Sequence, residues 1–106
     1  MIVLVVTSAI YVAAFQTTAA NDARTAFRAC LKQASVDAKG QKITTDAFSA
    51  FARQKCSTQE SGFKSALWAI DSKNKVPKKQ SDSDAELQVE DFLATASDHY
   101  AADSPK

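Results

Sequence analysis

From Asp22 to Ala38, apolar residues return at three- and four-residue steps. Ala23, Ala26, Phe27, Cys30, Leu31 and Ala34 form one stripe, while Arg24, Arg28, Lys32 and Gln33 fall outside it. That period is the mark of an amphipathic helix with one buried face. Asn21 or Asp22 can cap its start, and Gly40 follows as a stop. Phe48, Phe51, Ala52 and Cys56 repeat the stripe in a second helix over Asp46–Cys56, capped by Thr44 or Thr45. Phe63, Ala66, Leu67 and Ile70 carry a third, with Ser57 and Glu60 at the spacing of a capping box. Ala85, Val89, Phe92, Leu93, Ala96 and Tyr100 line a fourth, and Leu87 points away from that face. Pro77 ends the third helix. The fourth starts either at Pro77 or at about Ser83, whose partner Glu86 repeats the capping-box spacing. Ala101–Lys106 is expected to fray. The pattern predicts an all-α protein, a small bundle of about four helices.

The first twenty residues follow a different pattern. Met1 to Phe15 is an apolar run broken only by Thr7 and Ser8, followed by small or polar residues up to Ala20. Thr18 and Ala20 suit the −3 and −1 positions of a signal-peptidase cut, so residues 1–20 read as a secretory signal peptide. No Lys or Arg precedes Arg24, which departs from the usual basic leading segment. An uncleaved N-terminal membrane anchor and a buried first helix are the competing readings, although about 20 apolar residues are needed to span. On the leader reading, residues 21–106 form a single helical domain, periplasmic or secreted. Without cleavage it would be membrane-anchored.

Export changes the meaning of the two cysteines. An even count in a short exported domain reads as a disulfide, and Cys30–Cys56 is the one intramolecular pairing available. Two reduced cysteines in a cytosolic core are the alternative. The helical register adds a second reason. Cys30 lies about 12 Å before the first helix's expected end at Ala38, and Cys56 about 15 Å beyond the second's expected start at Asp46. In an antiparallel hairpin they reach matching heights, so the first hairpin is expected to be disulfide-linked.

Composition narrows function mainly by exclusion. With two glycines and two prolines, the chain has few helix breakers. A formal net charge of +1 argues against nucleic acid as a partner. Lys73, Lys75, Lys78 and Lys79 surround Pro77 as a possible anion-binding patch, but Asp82, Asp84, Glu86, Glu90 and Asp91 follow and can neutralise it. Trp68 sits off the third helix's stripe, either at the core edge or as a contact surface. His99, the only histidine, has no evident residue to orient it, and Glu86 and Glu90 share a face expected to be exposed. No phosphate loop, nucleophile elbow or metal-binding motif is present. No enzyme chemistry, cofactor or metal is expected.

The stretches FRACLKQA and FKSALWAIDSKNKVPKK, with Cys56 between them, resemble small exported bacterial helical proteins with one disulfide. Those proteins are of uncharacterised function, so the resemblance implies compartment and fold without an active site. At a coarser level the single bridge and helical content are similar to periplasmic acid-stress chaperones. The expected role is an interaction or structural module acting through protein–protein contact. Peripheral binding of an anionic membrane or polymer by the lysine cluster is the alternative, with chaperone-like behaviour in acid a third reading. The lysine-rich joint and the fourth helix, being outside the bridge, are the expected seat of function.

Overall fold

The computed structural model describes residues 2–103, with side-chain surroundings from Thr18 to Asp103. The predicted leader or anchor, residues 1–20, lies almost wholly outside the residues whose side chains are described, as does the end of the expected tail. All regular elements among the described residues are helices: α1 (Ile2–Gly40), α2 (Thr45–Lys55), α3 (Ser57–Lys73) and α4 (Lys78–Asp103). None is long and apolar enough to cross a membrane.

The four helices make three rods. One residue, Cys56, separates α2 from α3, and it is both the C-cap of one and the N-cap of the other. The two therefore run end to end as one broken return path, and both pack against α1 and α4. Phe92 of α4 lies level with Phe27 of α1, and Asp103 near α4's end reaches Lys39 near α1's end, 3.8 Å away. So α1 and α4 run parallel, with α2–α3 antiparallel to both.

Aromatic rings tie the rods together. Phe27 (α1), Phe63 (α3) and Phe92 (α4) form a triangle with centroids 5.7–6.2 Å apart. Phe48 (α2) stacks on Tyr100 (α4) at 4.3 Å, and the Tyr100 hydroxyl donates to the Ile43 carbonyl. Phe27, Phe48 and Phe63 are completely buried. Together these rings join α1, α3 and α4 to one another and α2 to α4, where aromatic burial contributes most. Of the predicted α1 stripe, Ala26 is exposed instead. Alanine's small apolar area makes that exposure inexpensive.

The bridge joins Cys30 to Cys56 with Cα atoms 5.9 Å apart. α1 ends at Gly40 and α2 begins at Thr45, placing the two cysteines about 15 and 16.5 Å from the turn. The height match is therefore closer than the sequence suggested. Because Cys56 is the α2–α3 junction, the bridge anchors α1, ten residues before its end, to the break in the return path.

Several helix ends differ from expectation. α1 passes through Asn21 and Asp22 unbroken, so neither caps a start. The Asn21 side chain instead accepts from Arg24 Nη1 at 2.7 Å. Thr44 does cap α2, its hydroxyl accepting from the Ala47 amide at 3.3 Å. The Ser57–Glu60 box does not form: α3 has Cys56 at its N-cap with no side-chain cap. The Ser83–Glu86 box does not form either, because α4 begins directly after Pro77, whose carbonyl accepts from the Ser81 amide at 3.0 Å. Both glutamates are drawn to partners on other helices. α4 continues as far as Asp103, beyond the expected onset of fraying.

α1 and α3 finish in the same way. After α1, the Ile43 amide bonds the Ala38 carbonyl and the Lys42 amide bonds that of Lys39. After α3, Val76 bonds Asp71 and Lys75 bonds Ser72. This paired pattern is the Schellman motif, which requires a left-handed residue. Lys42 (φ 58°) and Lys75 (φ 63°) fill that place. Gly40, the expected stop, lies within α1 and has no positive φ.

Candidate contact surface

On α1, Arg24, Arg28, Lys32, Val36 and Lys39 follow one another at steps of four, four, four and three residues. Such steps keep them on one side of a 3.6-residue helix, forming a basic stripe with a valine set into it. No acidic residue stands three or four positions from any of these cations. Arg24 and Arg28 lie over the rings of Phe63 and Phe92 at 5.5 and 5.1 Å, so their stems cover apolar surface. Among the described residues, Arg28 and Lys32 form no ion pair, and Lys39 has only the long contact to Asp103. Val36 is 63% exposed.

The stripe borders a groove of about 620 Å³ between α1 and α4. α1 and α4 touch little because the return path holds them apart. Leu31, Phe92 and Ala96 form the apolar floor, while Thr95 and His99 stand on the α4 wall. Beyond that wall, Asp84, Leu87, Asp91 and Asp98 follow at steps of three, four and seven residues along the outer side of α4. All four are exposed, Leu87 by 61%. Neither Asp84, Asp91 nor Asp98 pairs with a cation among the described residues. The basic stripe thus borders the groove, whereas the acidic residues lie about 100° around α4 from Phe92, and each helix carries one exposed aliphatic residue. Val36 and Leu87 are the large hydrophobic side chains left most open among the described residues.

The residues singled out from sequence are placed differently. Lys75 is used as a left-handed helix terminator. Lys78 pairs with Asp82 and lies 5.0 Å over the Trp68 ring. Lys73 and Lys79 remain exposed. Of the four lysines, Lys78 is therefore the one already engaged by a carboxylate and a ring. Trp68 is half-buried and covered by a cation, which fits the core-edge reading. Glu86 does not share an open face with Glu90. It turns inward to Arg53 Nη2 at 2.6 Å and Lys64 Nζ at 2.7 Å. His99 is exposed on the groove wall. Among the described residues no group of three His, Cys, Asp or Glu could hold a metal.

The basic stripe is visible in the sequence only as the polar complement of a buried face. The signal that could have found it is four cations in register with no acid three or four positions away. No protein-family model matches the chain, and no curated protein or solved structure matches it either.

Proposed function

We propose that this chain is an exported helical interaction module that acts by protein–protein contact through its α1–α4 face. The observation that supports this reading best is the open groove flanked by unpaired Arg28 and Lys32, with Val36 exposed beside them. Protein interfaces favour arginine and apolar residues at the centre with charge at the rim. The Cys30–Cys56 bridge supports an oxidising location, and the leader-like residues 1–20 make export the route to it. The α1–α4 face is favoured over the 73–79 lysines, because Lys78 is already paired with Asp82.

A photo-crosslinking residue at position 36 tests this in cells exporting the protein. The expected result is an adduct of one defined mass, absent when the probe stands at Ser65 on α3 and diminished by R28E/K32E. A diffuse pattern equal to that from position 65 would overturn it.

A further inference from the structure

The groove between α1 and α4 is tied across at both ends and open along its length. At one end Arg28 lies over the Phe92 ring at 5.1 Å, and at the other Lys39 reaches Asp103 at 3.8 Å. Arg28 to Lys39 and Phe92 to Asp103 are both steps of eleven residues. The open length is therefore about 16 Å on each helix. Between the ties lie the floor residues Leu31 and Ala96, with Val36 exposed on the α1 rim. The two rims differ in sign. Arg28, Lys32 and Lys39 edge the α1 side, with no acid three or four positions away. Asp91 and Asp98 lie exposed beyond the α4 wall.

We infer that the groove seats an amphipathic helix of a partner protein, about three turns long, apolar beneath and acidic along the flank that faces α1. The inference rests on the proposed contact role of the face and names the kind of partner. Such a helix lies as a fourth rod beside α1, α4 and the return path, its apolar side chains set among Leu31, Val36, Phe92 and Ala96. Carboxylates at the four- and seven-residue steps of Arg28, Lys32 and Lys39 stand opposite all three cations. Its other flank carries no acid, because Asp91 and Asp98 repel a carboxylate placed beside them. This asymmetry selects among anions. A nucleic acid or an anionic bilayer surface presents charge to both rims alike and leaves the apolar floor without a partner. A lipid with one acidic head group cannot neutralise cations spread over about 16 Å. A helix supplies an apolar face and a one-sided acidic flank together.

Fluorescence anisotropy of two synthetic peptides tests this on the full, disulfide-bonded protein. Both are lactam-stapled helices of one composition, with leucines along one side. One carries its glutamates on the flank beside the leucines, at steps of four and seven, and the other carries them on the side opposite the leucines. The first is expected to bind about tenfold or more tightly than the second, and more weakly as salt rises. R28E/K32E should lower that affinity about tenfold or more and create affinity for the same peptide with lysine in place of glutamate. Ala96→Trp fills the floor while keeping the cations, and should weaken binding as much. Thr95→Trp narrows the same groove and takes its place if circular dichroism shows Ala96→Trp misfolded. Equal binding of the two peptides, or binding unaffected by R28E/K32E or by the groove-filling variant, would overturn the inference. So would displacement of the first peptide by phosphatidylglycerol vesicles or an oligonucleotide at equal anion concentration. If no peptide binds while position 36 still crosslinks to a protein in a manner lost in R28E/K32E, the acidic helix fails and the contact role stands. If both measurements are negative, both fail.

Discussion

Glu60 of α3 and Glu86 of α4 are bound to the same two cations. Arg53 of α2 holds Glu60 through Nε at 2.9 Å and Glu86 through Nη2 at 2.6 Å. Lys64 reaches Oε2 of each, at 2.9 and 2.7 Å, and Arg53 Nη2 also donates to Glu60 Oε2 at 3.1 Å. Four side chains from three helices thus close a ring of charge-assisted hydrogen bonds. Burial alone would raise the Glu60 carboxyl, but Arg53 and Lys64 more than offset it and hold it below its ordinary value. Lys64 and then Arg53 do the same for Glu86.

Acid sensitivity follows from that ring. Both folded-state carboxyls bind protons less readily than in the unfolded chain, so their contribution is complete above the ordinary carboxylate value of 4.5. It is lost as pH falls below that through the lowered folded values. Urea unfolding of E60Q/E86Q against wild type should show a less stable variant at neutral pH and a gap that closes in acid. A gap that stays constant with pH would contradict the assignment.

Reducing or removing the bridge should be costly. The chain-entropy model assigns a loop of this size roughly 3 to 4 kcal/mol. C30S/C56S should unfold at correspondingly lower urea, while a change under 1 kcal/mol (about a third of that estimate) would remove the bridge as a main support. Intact mass of the exported protein should equal residues 21–106 less two hydrogens. An uncut mass would remove the leader reading.

The two left-handed lysines are sites where stability can be gained. A non-glycine residue in that conformation costs roughly 1–2 kcal/mol, part of which glycine returns through greater freedom in the unfolded chain. Lys42→Gly and Lys75→Gly should each raise stability by about 0.5 kcal/mol or more. A lower urea midpoint in both would show that their side chains contribute something the turn geometry does not explain.

Phe27 and Leu87 should respond oppositely to truncation. Phe27 is completely buried between Phe63 and Phe92, so Phe27→Ala should cost about 3–5 kcal/mol. Leu87 is open, so Leu87→Ala should change monomer stability by no more than about 0.5 kcal/mol. Chemical denaturation of both variants checks the pair, and equal losses would contradict the packing.

Periodicity alone places Phe27, Leu31, Phe48, Ala52, Phe63, Val89, Leu93 and Tyr100 in the core, where the structure has them. Burial of these residues is dictated by helix geometry and side-chain size, both local properties. Helix ends are less legible. Glu60 and Glu86 stand at capping-box spacings, yet Arg53 and Lys64 from other turns and other helices win them. The Glu60–Lys64 pair is a local i,i+4 spacing, but no local pattern reports the cross-helix pairings of Arg53 with both glutamates and of Lys64 with Glu86. Lys75 reads as one charge in a cluster, whereas its backbone conformation gives it another role. The contact face is legible only in halves. The spacing of Arg28, Lys32 and Lys39 and that of Asp84, Asp91 and Asp98 are in the sequence, but their adjacency depends on α1 and α4 running parallel. The sequence points to the half outside the bridge for function, and the basic stripe of α1 draws it back to the bridged helix.

The contact role of the α1–α4 face is tested most directly by photo-crosslinking from position 36 in cells exporting the protein. One adduct of defined mass is expected, diminished by R28E/K32E and absent with the probe at position 65. A diffuse pattern equal to that from position 65, or an adduct unchanged by R28E/K32E, would contradict the contact role.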